Sequence, residues 1–232
     1  MAAETVASQK KRGGGGMSEQ RRRRLRLEIS REACRLFWEQ GVDATSGDQI
    51  AEAVGLSTRT IWRHFRNKES CAEPLVMKSV EWEMTTLRSW PAYLSLEDHF
   101  AAETARLGRE ATDVDLLDTG LAVKMIRLAD TEPALRTAWL MACDQVEREM
   151  AKIIGRRLGL RVEDLNVRLH AAAASAALRI INEHVGAELL EDADSQEFAD
   201  APDLIARMVR RATGDAVGDA VAGEREPGDS MP

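Results

Sequence analysis

Cysteine, aromatic side chains and long apolar runs are all scarce in this chain of 232 residues. The three cysteines, Cys34, Cys71 and Cys143, form no Cys-x-x-Cys pair and are odd in number. That excludes a disulfide framework and points to a reducing compartment. Nothing marks any of them as a low-pKa thiol, so they read as small buried apolar residues rather than redox sensors. No run approaches the ~20 apolar residues that span a bilayer. The basic residues Lys10, Lys11 and Arg12 are followed by no apolar segment, so the N-terminus is not a secretory signal. A soluble, cytoplasmic protein is expected. His170 and His184 share a helix face but lie ~21 Å apart along it, too far to ligate one metal. His-Glu-x-x-His, Gly-x-Ser-x-Gly and the P-loop are all missing. An enzyme is therefore disfavoured, and no catalytic residue, metal or cofactor is assigned. Runs rich in Val, Ile, Tyr and Phe are few, while Ala, Leu, Glu and Arg dominate. With 44% hydrophobic residues, this is the composition of an all-α fold with a real core.

What is present is an asymmetry of charge. The net charge of −7 is the sum of +2 over residues 1–17, +3 over 18–70 and −12 over the remainder. A polyanion partner therefore belongs to the N-terminal third, and the acidic remainder would confine contact to that end. Residues 1–20 are expected to be a disordered tail. Four glycines precede Met17, which is a candidate natural start. Arg21, Arg22, Arg23 and Arg24 then open an amphipathic stretch in which Leu25, Ile29, Ala33, Leu36 and Phe37 recur at helical spacing, with Gly41 past its end. Four cations in a first turn oppose the positive end of the helix dipole. They fit an arm reaching DNA phosphates or a minor groove, and they fit a solvated basic end equally well.

Residues 44–70 carry the densest local signals. Ser46 and Gln49 form a capping-box pattern ahead of Ile50, Ala51 and Val54. Gly55 stands where a left-handed residue closes the helix, and Leu56 returns to the core. Ser57 caps a second helix whose Ile61 and Phe65 must point inward. Thr58, Arg59, Thr60, Trp62, Arg63 and His64 are left on its outward and flanking faces. This is the pattern of a helix-turn-helix with a major-groove recognition helix. Arg59 suits guanine and the Thr58 and Thr60 methyls suit thymine. Trp62, Arg63, His64 and Lys68 suit phosphate and sugar.

These residues carry a resemblance. Ile29, Ala33, Leu36, Phe37, Gly41, Thr45, Ser46, Ile50, Ala51, Gly55, Leu56, Ser57, Ile61, Trp62, His64, Phe65, Lys68 and Glu69 stand in register with the DNA-binding domain of TetR-family transcriptional regulators. The resemblance implies phosphate contacts at Trp62, His64 and Lys68, and base contacts at Thr58, Arg59 and Thr60. Two positions depart from it. Gly47 stands where the family has Val or Met, and Trp62 where it has Tyr or Phe.

Residues 71–212 form the expected ligand-binding and dimerisation domain, and 213–232 a second disordered tail. Helical spacing predicts helices over 68–88 (Leu75, Val76, Ser79, Trp82 and Thr86 on one stripe), 96–108, 114–128, a long one from Pro133 to Leu158, 163–190 and 197–211. Thr131 is expected to cap the long one. Trp90-Pro91 is a break. Residues 127–140 and 157–165, with the alanine-rich helix that follows, resemble the mycofactocin-type subgroup of the same family, which implies acyl-CoA-like ligands. Against that, the body has no basic cluster for a CoA phosphate; Lys124, Arg127, Arg156, Arg157 and Arg179 are scattered. Trp82, Leu116, Met125, Arg127, Trp139, Cys143 and His170 are the candidate ligand contacts. Ala172, Ala173, Ala176, Ile180, Leu204 and Met208 are the candidate dimer contacts, on small-residue and apolar faces that allow close helix approach. The reading is a dimeric repressor released from a pseudo-palindromic operator by a small, mainly apolar effector.

Overall fold

The computed structural model describes residues 18–191 and 196–221. Of the disordered tail expected over residues 1–20, the part up to Met17 lies outside the described residues, as does the end of the chain from residue 222, while Ser18 caps the first helix and residues 19 and 20 already belong to it. All regular structure among those residues is helical. Helices α1 (Glu19–Gln40), α2 (Gly47–Ala53) and α3 (Thr58–His64) make a headpiece. Helices α4 (Glu73–Ser79), α5 (Glu81–Ser89), α6 (Leu96–Glu110), α7 (Asp113–Leu128), α8 (Pro133–Leu158), α9 (Leu165–Glu191) and α10 (Gln196–Ala212) make the body. One apolar core runs through both, from Ile29, Phe37, Ile50 and Ile61 to Trp139, Met150 and Ile205. Helix α1 packs on α4 and α7, so the headpiece sits directly on the body.

Local chemistry sets most boundaries. Ser18, Ser46, Ser57, Ser95 and Thr112 each cap a helix by accepting a backbone N–H three residues on. Gly55 closes the headpiece turn at φ +66°, a left-handed geometry that favours glycine. Pro133 opens α8 behind Glu132, so the expected cap at Thr131 falls one residue short, and Thr131 instead donates to Leu128 O.

Two expectations are corrected. The single helix expected over 68–88 is three pieces: a 3-10 turn at Glu69–Ala72, then α4, then α5. Asn67 and Ser70 bond each other's backbone and side chains, forming a local turn that competes with helix. Pro74 then restarts the helix from its first turn. The break between α4 and α5 at Val80 adjoins Ser79, whose hydroxyl bonds back to Val76 O at 2.7 Å. The C-terminal tail expected from 213 is ordered through Val221. Gly218 O accepts from Leu96 N at 2.7 Å, Val221 N donates to Ala92 O at 2.7 Å, and Val217 is buried. Arg210 fastens this return by bonding both Glu97 and Asp219.

Candidate nucleic-acid interface and effector cavity

Helix α3, the candidate recognition helix, is held from behind by two contacts, and the loop beside it by a third. Ile61 is fully buried. Arg26 of α1 donates to His64 O and lies 4.5 Å from the Phe65 ring centroid, placing a cation at the negative end of α3. Lys68 donates to Val42 O, Asp43 O and Thr45 O at 2.7, 3.3 and 3.0 Å. Those bonds use all three ammonium donors. Lys68 therefore staples the α1–α2 loop, and a phosphate would have to displace one of these carbonyls.

The outward face divides into engaged and available groups. Ser46 and Gln49 complete the capping box at α2. Ser57 Oγ and Thr60 Oγ1 bond each other at 2.9 Å, and Thr58 donates to Asp48 of α2. Arg59 and Arg63 are exposed and have no ion-pair partner among the described residues. His64 Nε2 is sealed from solvent with no partner, and burial, then Arg63, Arg26 and Arg22, push its pKa down. The arginine run lies within the first two turns of α1. Arg22 pairs with Glu19, Arg24 with Glu28, and Arg23 with Glu81 of the body, while Arg21 has no such pair among the described residues.

The two departures from the family pattern meet in space. A Cβ on Gly47 would lie 2.1 Å from Trp62 Cζ2 and 2.7 Å from Cη2. Gly47 has no positive φ, so glycine is there for room. The indole, still 43% exposed, lies across the first turn of α2.

Where headpiece meets body, Asp118 of α7 is the hub. It is 3% exposed. Arg31 of α1 donates to both its oxygens at 2.6 and 2.9 Å, and Lys78 of α4 donates at 2.6 Å. Burial disfavours the Asp118 carboxylate, but these bonds outweigh it and hold its pKa below the usual range. Lys78 also donates to Asp115, whose carboxyl falls to about 2, chiefly through its bond with Thr112 and then that with Lys78.

The same α7 forms a wall of a cavity of about 390 Å³, open on one side to solvent, that α5, α6, α9 and α10 also line. Of the candidate ligand contacts, Trp82 and Leu116 line it. The other five do not. Met125 is fully buried in the core, and Trp139 is buried with its Nε1–H donating to Glu183. Arg127 pairs with Asp130 on the surface. Cys143 and His170 are half-buried elsewhere, and burial pushes the Cys143 thiol up to about 11. Cys34 and Cys71 are buried and likewise raised, Cys71 to about 12. The polar wall residues Glu83, Thr104 and Asn182 escaped the sequence reading, because each sits at a position that also suits a solvated helix face. Ala172 and Ala173 of α9 are half-buried, Ala176 and Ile180 are exposed, and Leu204 and Met208 of α10 are half-buried.

Comparison with known proteins agrees with this architecture. Residues 29–75 match the family described as bacterial regulatory proteins, tetR family, and residues 101–211 match the MftR C-terminal domain. The HTH-type transcriptional regulator TcmR of Streptomyces glaucescens is 33% identical over 162 residues, 68% of this chain and 72% of that protein. Salmonella enterica GusR superposes with a TM-score of 0.55 at 19% identity, over 86% of this chain and 98% of that one. A TetR-family regulator from Rhodococcus sp. gives 0.52 at 18%, over 85% and 99%. No described helix is long and apolar enough to cross a membrane. The chain belongs to the TetR family of transcriptional regulators and is not an enzyme.

Proposed function

We propose that this chain is a homodimeric repressor that binds a pseudo-palindromic operator and is released by a small, mainly apolar molecule taken into the body cavity. The observation that carries this reading is the double duty of α7. Leu116, Thr119, Val123 and Ile126 line the cavity, and Asp118 on the same helix holds Arg31 of the headpiece. A molecule that shifts α7 therefore acts on the contact that orients α1. It releases DNA only to the extent that it prefers the shifted arrangement.

Dimerisation through α9 and α10 is supported by an apolar stripe. Leu165, Leu169, Ala172, Ala176 and Ile180 recur on one face of α9, and Leu165, Leu169 and Ile180 are all exposed in the single chain. Two copies paired there would offer two recognition helices to successive major grooves ~34–36 Å apart. The 390 Å³ cavity favours an effector over the competing reading, a DNA-binding dimer that needs none. An acyl-CoA would suit the apolar walls with its chain, but its phosphates find no cation there.

The test is selection of duplexes from a random pool by the full chain, followed by footprinting. Two half-sites one helical turn apart are expected, and Arg59→Ala should relax preference at one position by ~1–3 kcal/mol. Failure to enrich any sequence, or enrichment unchanged by Arg59→Ala, rejects the reading.

A further inference from the structure

The cavity wall is mainly apolar, and two of its polar groups are not satisfied from within the protein. Trp82 Nε1 and Thr104 Oγ1 are sealed from solvent and have no hydrogen-bond partner. Beside them Glu83, only 5% exposed, receives a 3.3 Å bond from Asn182 Nδ2. All four residues line the cavity, Trp82 and Glu83 from α5, Thr104 from α6 and Asn182 from α9. Buried donors and acceptors are seldom left unpaired, because each has given up its bond to water. Two such groups on residues that line one largely apolar space mark where a ligand's polar end belongs.

The sign of that polar end follows from the charges around it. The lining has no lysine or arginine, and its ionisable residues are Glu83 and Asp115, both acidic. The cation on the adjoining cleft, Lys78, is taken by Asp115 and Asp118. Arg127 and Arg179 pair with Asp130 and Glu183, Lys124 lies over the Trp38 ring, Arg156 donates to Arg88 O in the last turn of α5, and Arg157 donates to Ala92 O in the turn after it. None of these five lines the cavity. A buried anion would meet a carboxyl and no compensating charge.

We infer that the cavity takes an uncharged, largely apolar molecule whose polar end presents a hydrogen-bond acceptor to Trp82 Nε1, and that it rejects carboxylates and CoA thioesters. Ketones, esters, lactones and quinones of matching size have that chemistry. Burial pushes the Glu83 carboxyl up to about 7, so near neutrality it can donate a second hydrogen bond to the same end. This inference rests on the reading of the cavity as the effector site.

Two matched pairs test it on the full-length dimer by calorimetry at pH 8: methyl dodecanoate against dodecanoate, and methyl anthracene-9-carboxylate against anthracene-9-carboxylate, with dodecanoyl-CoA alongside. At least one ester should bind about tenfold or more tighter than its carboxylate, and the CoA thioester should not bind. Trp82→Phe should weaken that ester about tenfold, equivalent to ~1.4 kcal/mol. Glu83→Gln should narrow the ester–carboxylate gap. Equal or tighter binding of a carboxylate or of dodecanoyl-CoA, with operator release, overturns the inference and leaves the sensor reading standing. So does an ester affinity untouched by Trp82→Phe. If no compound of either pair binds, the effector-site reading falls and the inference with it.

Discussion

The close approach of Gly47 and Trp62 makes a measurable claim about how the recognition helix is presented. In Gly47→Ala the new Cβ would stand 2.1 Å from Trp62 Cζ2. Carbon atoms at contact sit roughly 3.5–4.0 Å apart, so something must move by well over an ångström. The indole is 43% exposed and gives way before the backbone does. Leaving its rotamer well costs ~0.5–1.5 kcal/mol. Replacing glycine by alanine within a helix returns up to ~1 kcal/mol. These nearly cancel, so the urea midpoint should barely change. Operator binding has no such compensation. If Trp62 meets the sugar-phosphate backbone, displacing it should cost ~1–2 kcal/mol, about five- to thirty-fold in affinity. Trp62→Tyr should cost a similar amount, because the smaller ring leaves the space over Gly47 unfilled. The double variant Gly47→Ala/Trp62→Tyr should recover most of the loss, since the smaller ring and the added methyl fit each other. Fluorescence anisotropy on a selected operator at fixed salt gives the four affinities. A coupling energy of roughly 2–3 kcal/mol is expected, because the two single losses together come to ~2–4 kcal/mol and the double variant keeps little of either. Additivity within about 0.5 kcal/mol, or a Trp62→Ala variant with unchanged affinity, would refute the argument.

Other perturbations test other links. Asp118→Asn weakens the Arg31 and Lys78 bonds, and should lower stability by ~1–3 kcal/mol and shrink the effector's influence on operator affinity while effector binding persists. An unchanged ratio of operator affinities with and without effector would exclude Asp118 as the coupling group. Glu83 has a raised folded pKa, so the folded state holds the extra proton between the unfolded value, about 4.5, and about 7, and stability falls as pH rises through that window. Glu83→Gln should therefore be more stable than the parent at pH 8, by roughly 3 kcal/mol at most, with the difference fading by pH 5 in urea titrations. The His64 pKa is depressed in the free headpiece and a phosphate would raise it, so operator affinity should grow as pH falls from 8 to 6. That slope should flatten in His64→Gln, and a flat profile in the parent would remove His64 from the phosphate contacts. Lys68→Met should lower headpiece stability, seen as faster amide exchange across residues 42–45; an undisturbed loop would return Lys68 to phosphate binding.

The headpiece was legible in the sequence because its signals are local. A cap, a turn glycine and an inward pair at i, i+4 each act within one or two helical turns, so Ser46, Gly55, Ser57, Ile61 and Phe65 declare themselves by spacing alone. The Asp118 hub was not legible. Its partners Arg31 and Lys78 lie 87 and 40 residues away, and within LLDTG the aspartate looks like any solvated helix residue. The cavity was half legible for a related reason. Trp82, Leu116, Met125 and Trp139 all sit at apolar helical positions, and spacing cannot tell a wall from a filled core. What separates them is the neighbour across the gap: Glu183 takes the Trp139 N–H, while the Trp82 N–H is left without a partner. Gly47 and Trp62 read separately as two weaknesses of a good match. Together they are one adjustment, a larger ring accommodated by the loss of a side chain beneath it.

The energetics of the α7 hub constrain how the proposed effector-driven release must behave. Moving an operator-bound population from 99:1 to 1:99 needs a differential of ~5.5 kcal/mol. Asp118 is buried, but Arg31 and Lys78 are each about a quarter exposed, so the bonds of one hub are solvent-screened and account for no more than ~1–3 kcal/mol. One hub is too little for a full switch. Two hubs, one in each protomer, approach what is needed. Loosening one headpiece while the other stays clamped should leave a dimer that still holds its operator, only more weakly. Release should therefore require both cavities to fill, and effector titration of a labelled operator should be steeper than a single-site curve, with a Hill coefficient between 1 and 2. A simple hyperbola that reaches complete release would mean that one occupied cavity suffices. The coupling would then have to travel by another contact as well, and the first place to look is Arg23 on α1, which bonds Glu81 at the start of the helix carrying Trp82 and Glu83.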